Sequence, residues 1–315
     1  MNLQIIKTIA KKEIKYLFRE KTFYLLLAIF ILMASLSTYI GWATEHTIKN
    51  VYDAAVYELN TNQQTVPAYP LENASSLAIV KNMIIYVILI GSLLAIILGY
   101  FIGINDRISG TVRLIFSRPI SRINLLLGKV LALKTVLLFI VLSAFIISLL
   151  SAGIFHVLSF ANGLKISEFY LISFIYMLGF ALLAMAFAIS MKNSASALLY
   201  ALFVWMIITF ALPELGSALF PTGSLNPVLP PTNILQSSTL SYIHNVTYPF
   251  SISEHFKEIS ASILEVNSQP ISDFVRTTYS NLLNFLVLLF WGILNFMLAY
   301  FLFKKIKPAQ NDLYE

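Results

Sequence analysis

Between two long apolar runs, residues 106–129 read Asp-Arg-Ile-Ser-Gly-Thr-Val-Arg-Leu-Ile-Phe-Ser-Arg-Pro-Ile-Ser-Arg-Ile-Asn-Leu-Leu-Leu-Gly-Lys, with five basic side chains against one acidic one. These residue types do not make or break bonds; they offer a charged surface to a partner. Ser109 is placed to cap a helix by accepting from first-turn N–H groups, and Pro119 disfavours helical geometry at Arg118. The helix between them covers about eight residues, Gly110 to Ser117, roughly 12 Å at 1.5 Å per residue. Ser121 is placed to cap the next helix, with Arg122 in its first turn and Gly128 and Lys129 leading into the following apolar segment. A short, stiff, basic helix of this kind is a handle for another protein.

Other chemistry is hard to find. The chain has no cysteine, which excludes disulfides, thiol catalysis and thiolate metal sites. No metalloprotease motif, nucleophile elbow or paired intramembrane aspartates occur, and no phosphate-binding loop of the GxxxxGK[ST] type, so neither catalysis nor nucleotide binding is expected of this chain. The histidines His46, His156, His244 and His255 fit no ligand spacing and are expected as scattered surface residues of the outer side, with no metal or bound cofactor.

The elements that position the basic segment are membrane helices. Of 315 residues, 58% are hydrophobic and only 11% charged, with a mean hydropathy of +0.80. Six uncharged runs, 22–44, 82–105, 135–155, 169–191, 193–213 and 277–303, reach the about 20 residues that cross a hydrocarbon core of roughly 30 Å. The expected fold is an all-α integral membrane protein with six transmembrane helices. A seventh run, 215–253, carries five prolines and is assigned to a loop outside the membrane, because unpaired backbone is not tolerated in lipid. The N-terminal run is too long for a secretion signal and lacks a small-residue cleavage site, so it reads as a retained span. With both termini inside, the cytoplasmic segments hold 16 Lys and Arg and the outer segments 5, a strong positive-inside bias. Acidic residues divide five inside and ten outside, so the basic excess reports topology and calls for no nucleic acid.

Along the chain, Leu3, Ile6, Ile9, Ala10, Ile14 and Leu17 fall on one side of a helix and Lys7, Lys11, Lys15 and Arg19 on the other, making 1–21 an amphipathic interface helix. Span one ends in Tyr39 and Trp42, and the acidic loop 45–81 turns at Pro67-Ala-Tyr-Pro70 as a small folded excursion. Gly99-x-x-x-Gly103 in span two would permit close helix contact. Spans three and four form a hairpin, and spans four and five meet across Lys192. In the outer loop 214–276, Ile252, Phe256, Ile259, Ile263 and Val266 recur at helical spacing, as in an amphipathic helix on or under the outer surface. Residues 304–315 form a cytoplasmic tail that opens on Lys304 and Lys305.

The string Asp106-x-x-x-Gly110-Thr111-x-Arg113-x-x-x-Ser117-Arg118-Pro119-x-Ser121-Arg122, with Gly128-Lys129 beyond it and six spans around it, resembles the membrane subunits of type-two ABC (ATP-binding cassette) exporters. It looks most like the branch that includes the nitrous-oxide-reductase maturation permease, although Asp106 stands where that family commonly has Glu. The resemblance implies a multi-pass permease of the cytoplasmic membrane, pairing with a second permease copy and with separate ABC ATPase subunits that carry ATP and Mg. It implies a coupling helix opened by Gly110 and Thr111 and ended by Ser117 and Pro119. Arg113 and Arg118 would face acidic groups of the ATPase, Arg122 and Lys129 would tie the next span to the interface, and the N-terminal segment would brace it. Outer loop 214–276 is open to an extracytoplasmic partner.

Two other readings stay open. One is a scaffold subunit that recruits partners without transport. The other is a carrier driven by an ion gradient, for which Glu214, at the outer end of span five, is the ionisable residue nearest membrane depth.

Overall fold

The computed structural model describes residues 3–69, 75–108, 121–213, 246–266 and 280–305. All regular structure among them is helical, and six helical stretches are long and apolar enough to cross a membrane. A short helix α1 (Leu3–Leu17) precedes the first of them, α2 (Lys21–Thr61). The second is continuous through a 3-10 turn (Ser76–Val80), α3 (Asn82–Tyr86), a π-helical turn (Val87–Gly91) and α4 (Ser92–Ile108). α5 (Arg122–Ile154) and α6 (Phe160–Ser190) follow, then α7 (Ser194–Met206) with its π-helical turn Ile207–Ala211, and finally α9 (Asn281–Lys305). Between the last two lies a short helix, α8 (Ile252–Ile263).

Local signals explain the breaks. Ser121, Ser159 and Asn193 accept from the N–H groups of Asn124, Asn162 and Ala195, capping α5, α6 and α7. α2 runs far past the expected end of span one because residues 42–66 contain no glycine or proline to stop it. Its 41 residues extend roughly 62 Å at 1.5 Å each. The chain then folds back along it: the Tyr52 hydroxyl donates to the Pro67 carbonyl at 2.8 Å, and a Cβ at Gly41 would lie 2.3 Å from the Ile79 carbonyl oxygen. The second span accordingly starts near Ser76, six residues earlier than its uncharged run suggests.

α6 is the central post. Ile172, Tyr176, Phe180, Ala184 and Ala188 are buried on it, and α4, α5, α7, α8 and α9 all pack against it. The contact with α4 is backbone to backbone, since a Cβ at Gly99 would stand 2.0 Å from the Ala181 carbonyl oxygen and one at Gly103 2.5 Å from the Ala188 Cβ. α2, α7 and α9 lie at the rim with apolar side chains such as Leu25, Leu32, Leu199, Phe203, Phe290 and Ile293 exposed, as lipid or a second membrane subunit requires.

The largest departure from expectation concerns α8. Of the two expected positions, on or under the outer surface, it takes the second and goes deeper. Its Ser253 hydroxyl lies 3.1 Å from that of Tyr176, in the middle of α6, while Glu265, just past its C-terminus, pairs with Lys165 near the start of α6. Those two α6 positions are eleven residues apart, so α8 dips roughly 16 Å into the bundle, antiparallel to α6. The backbone tolerates this because the segment is helical and surrounded by protein. His255, expected at the surface, is fully buried here.

Candidate coupling site

α1 carries a carboxylate in the centre of its apolar face. Ile6, Ala10, Glu13 and Leu17 form one buried stripe, while Lys7, Lys11 and Lys15 face outward. A Glu at 0% exposure demands compensation, because an unpaired charge in such surroundings costs several kcal/mol. The ends of α4 and α5 supply it.

Lys129 on α5 places its ammonium 3.2 Å from Glu13 Oε1, 2.7 Å from Asp106 Oδ2 and 2.8 Å from the Ile102 carbonyl oxygen. All three of its donors are therefore used. Asn105 Nδ2 donates to the other oxygen of Glu13 at 2.7 Å, and Lys12, partly exposed, donates to Asp106 Oδ1 at 2.5 Å. Among the described residues the cluster thus holds two cations and two anions, three of them buried and Lys12 at the rim. The cluster joins α1, the last turn of α4 and the first turns of α5.

Sterics reinforce it. A Cβ at Gly128 would stand 2.6 Å from Ile9 Cγ2 and 3.2 Å from the Ile6 carbonyl oxygen, so α1 sits directly on α5. Gly128→Val is expected to unseat α1, at a cost of about 1–3 kcal/mol for overpacking. The check is trypsin cleavage at Lys7, Lys11 and Lys15, expected about tenfold faster in the variant; an unchanged rate would mean that α1 does not depend on this seat.

Of the residues singled out in the sequence, the structure brings Asp106 and Lys129 together inside the bundle, and each is largely buried. Arg122 stands apart on the surface, where its Nη1 donates to the Lys304 carbonyl at 2.8 Å and links α5 to the end of α9. Gly110, Thr111, Arg113, Ser117, Arg118 and Pro119 lie outside the described residues. Glu13, Asn105 and Lys12 were missed, although Glu13 had a signal: at 100° per residue it falls between Ile9 and Ile6 on the apolar side.

At the opposite end, a cleft of about 480 Å³ is lined by Trp42, Glu45, Asp53, Tyr69 and Phe155, among others. Trp42 stacks with both His46 and Phe155.

Residues 7–307 match the model of a family described as ABC-2 family transporter protein. No curated protein gives a significant match to the chain.

Proposed function

Because the chain belongs to the ABC-2 family of transporter proteins, and is thus a multi-pass membrane permease component of an ABC transporter, we propose that it couples ATP hydrolysis by a separate ATPase subunit to export of a substrate across the cytoplasmic membrane. Both termini and the segment 109–120 face the cytoplasm in this reading, on the positive-inside bias. Two copies, or this chain and a homologous permease, assemble with two ATPase chains that bind ATP and Mg. The motif of residues 106–129 supports membership in the branch that includes the nitrous-oxide-reductase maturation permease.

The observation that carries the proposal is the buried cluster of Glu13, Lys129, Asp106 and Asn105. It grips the chain on both sides of the segment 109–120, so a push on that segment from an ATPase reaches α4 and α5 through paired charges and not through slack loop. Gly110 and Thr111 open the coupling helix, Ser117 and Pro119 end it, and Arg113 and Arg118 meet carboxylates of the ATPase. The push does work only if the ATPase binds the two permease conformations with different affinity.

The test is recovery of an ATP-binding subunit with the permease purified gently from its native membrane. Arg118→Glu sets like charges against each other, and partner-stimulated ATP hydrolysis is expected to fall about tenfold while membrane insertion persists. Unchanged hydrolysis would sink the coupling role and favour a scaffold. The ion-driven reading now has an observation of its own, the ionisable residues that α8 carries inside the bundle; transport in vesicles devoid of any ATPase would support it.

A further inference from the structure

The overrun of α2 past the expected end of span one builds a cleft that the coupling reading does not use. Trp42, Glu45, His46, Lys49, Tyr52 and Asp53 line it, and at 100° per residue they fall within about 120° of one another on one face of the helix. Two tight structures supply the facing walls. The chain that folds back after α2 brings Tyr69 against Tyr52, with ring centroids 5.0 Å apart, and the bond from the Tyr52 hydroxyl to the Pro67 carbonyl holds it there. In the turn between α5 and α6, His156 adopts a φ of 57°, the left-handed conformation that L side chains seldom take. Phe155 and Val157, on either side of that reversal, both line the cleft.

The lining is graded along α2. At the end nearer the spans, Trp42 stacks on Phe155 with centroids 5.1 Å apart, and Val157 completes an apolar floor. Asp53 lies eleven residues farther along, roughly 16 Å, with the Tyr52 and Tyr69 pair at the same end. Glu45, Lys49 and Asp53 are spaced four apart, the interval at which opposite charges on a helix pair. Yet none of the three forms a salt bridge with another described residue. Lys81, outside the lining, acts on Glu45, so Asp53 is the carboxylate better placed to receive a cation. Among the described residues no three His, Asp or Glu side chains converge as metal ligands would, which points away from a metal ion. A carboxylate among aromatic rings suits an organic ammonium, held by charge and by cation–π attraction.

We propose that this cleft binds an amphiphile with an organic ammonium head, the head at Asp53 beside Tyr52 and Tyr69 and the apolar body toward Trp42, Phe155 and Val157. Its volume of about 480 Å³ falls in the range of small-molecule sites. Choline and ethanolamine lipid headgroups and soluble amphiphilic amines share this chemistry. The site lies at the opposite end of the bundle from the coupling cluster and does not depend on an ATPase driving the chain.

Calorimetric titration of the full chain in phosphatidylglycerol nanodiscs with benzyltrimethylammonium tests this, with empty discs as the blank and benzyl alcohol as the uncharged counterpart. The expected result is saturable binding of the ammonium, weakened about tenfold in Asp53→Asn and no weaker in Lys49→Gln, which removes a like charge. Both side chains are exposed, so neither change touches the core, and an unaltered size-exclusion peak verifies folding. Adding phosphatidylcholine to the discs identifies the source: competition with the ammonium assigns the cleft to a lipid headgroup, and an unaltered affinity assigns it to a soluble amphiphile. No saturable binding, equal binding of benzyl alcohol, or an affinity that ignores Asp53→Asn overturns the proposal.

Discussion

Replacing Lys129 by methionine is expected to destabilise the membrane domain by about 3–5 kcal/mol, the larger of the two charge effects available at the α1 end. The Lys129 side chain is 2% exposed, and its ammonium bridges the two carboxylates, 3.2 Å from Glu13 and 2.7 Å from Asp106. Methionine fills similar space but leaves Glu13, at 0% exposure, with Asn105 as its main remaining donor. The same loss seen from Lys12 is small. Lys12 also touches Asp106, but its side chain is 43% exposed, so water screens the pair and Lys12→Met is expected to change stability by less than about 1 kcal/mol. Melting of the two variants in nanodiscs separates them, since both remove one positive charge next to the same carboxylate. Adding Glu13→Gln to Lys129→Met is expected to recover a substantial part of the loss, because the uncompensated charge is then gone. If Lys129→Met melted like the unaltered protein, the cluster would not be holding α1, α4 and α5 together, and the lever described above would have no fulcrum.

Gly99→Leu is expected to prevent assembly of α4 with α6. The first carbon of any side chain at that position already falls 2.0 Å from a backbone oxygen, and a carbonyl cannot rotate away as a side chain would without giving up its helical hydrogen bond. The two helices must part, and every contact along their shared face weakens with them. In lipid no hydrophobic force draws them back, since acyl chains are as apolar as leucine; association relies on the close fit. The cost is expected to exceed the about 1–3 kcal/mol of ordinary overpacking. Gly292 provides the control, because a Cβ there meets nothing within 4 Å. Size-exclusion profiles of Gly99→Leu and Gly292→Leu after detergent extraction would show aggregation in the first and a normal peak in the second. A normal peak for both would place the α4 and α6 axes farther apart than the structure has them.

The sequence alone determined the class of protein and the number of spans. Crossing a bilayer is a requirement on each stretch of chain taken separately, met by length and the absence of charge, so no knowledge of neighbours is needed to read it. The cap at Ser121 was legible for the same reason: it acts on residues next to it in the chain. Gly99-x-x-x-Gly103 was readable as permission for close approach, while the identity of the approaching surface, Ala181 and Ala188 of α6, was not.

Only the tertiary structure decided which polar residues face inward. Glu13 and Lys129 are 116 positions apart, and Asn105 and Glu13 are 92 apart; a count of charges per segment has no term for a partner arriving from elsewhere in the chain. The placement of α8 followed the same rule in reverse. Its serines, histidine and glutamates look like a water-facing surface when read alone. Tyr176 on α6 and Asn284 on α9 offer them hydrogen bonds inside the bundle, so a helix that the sequence puts on or under the outer surface sits among the spans. Burial of a polar group depends on the sum of its contacts in space, and that sum exists only once the chain is folded.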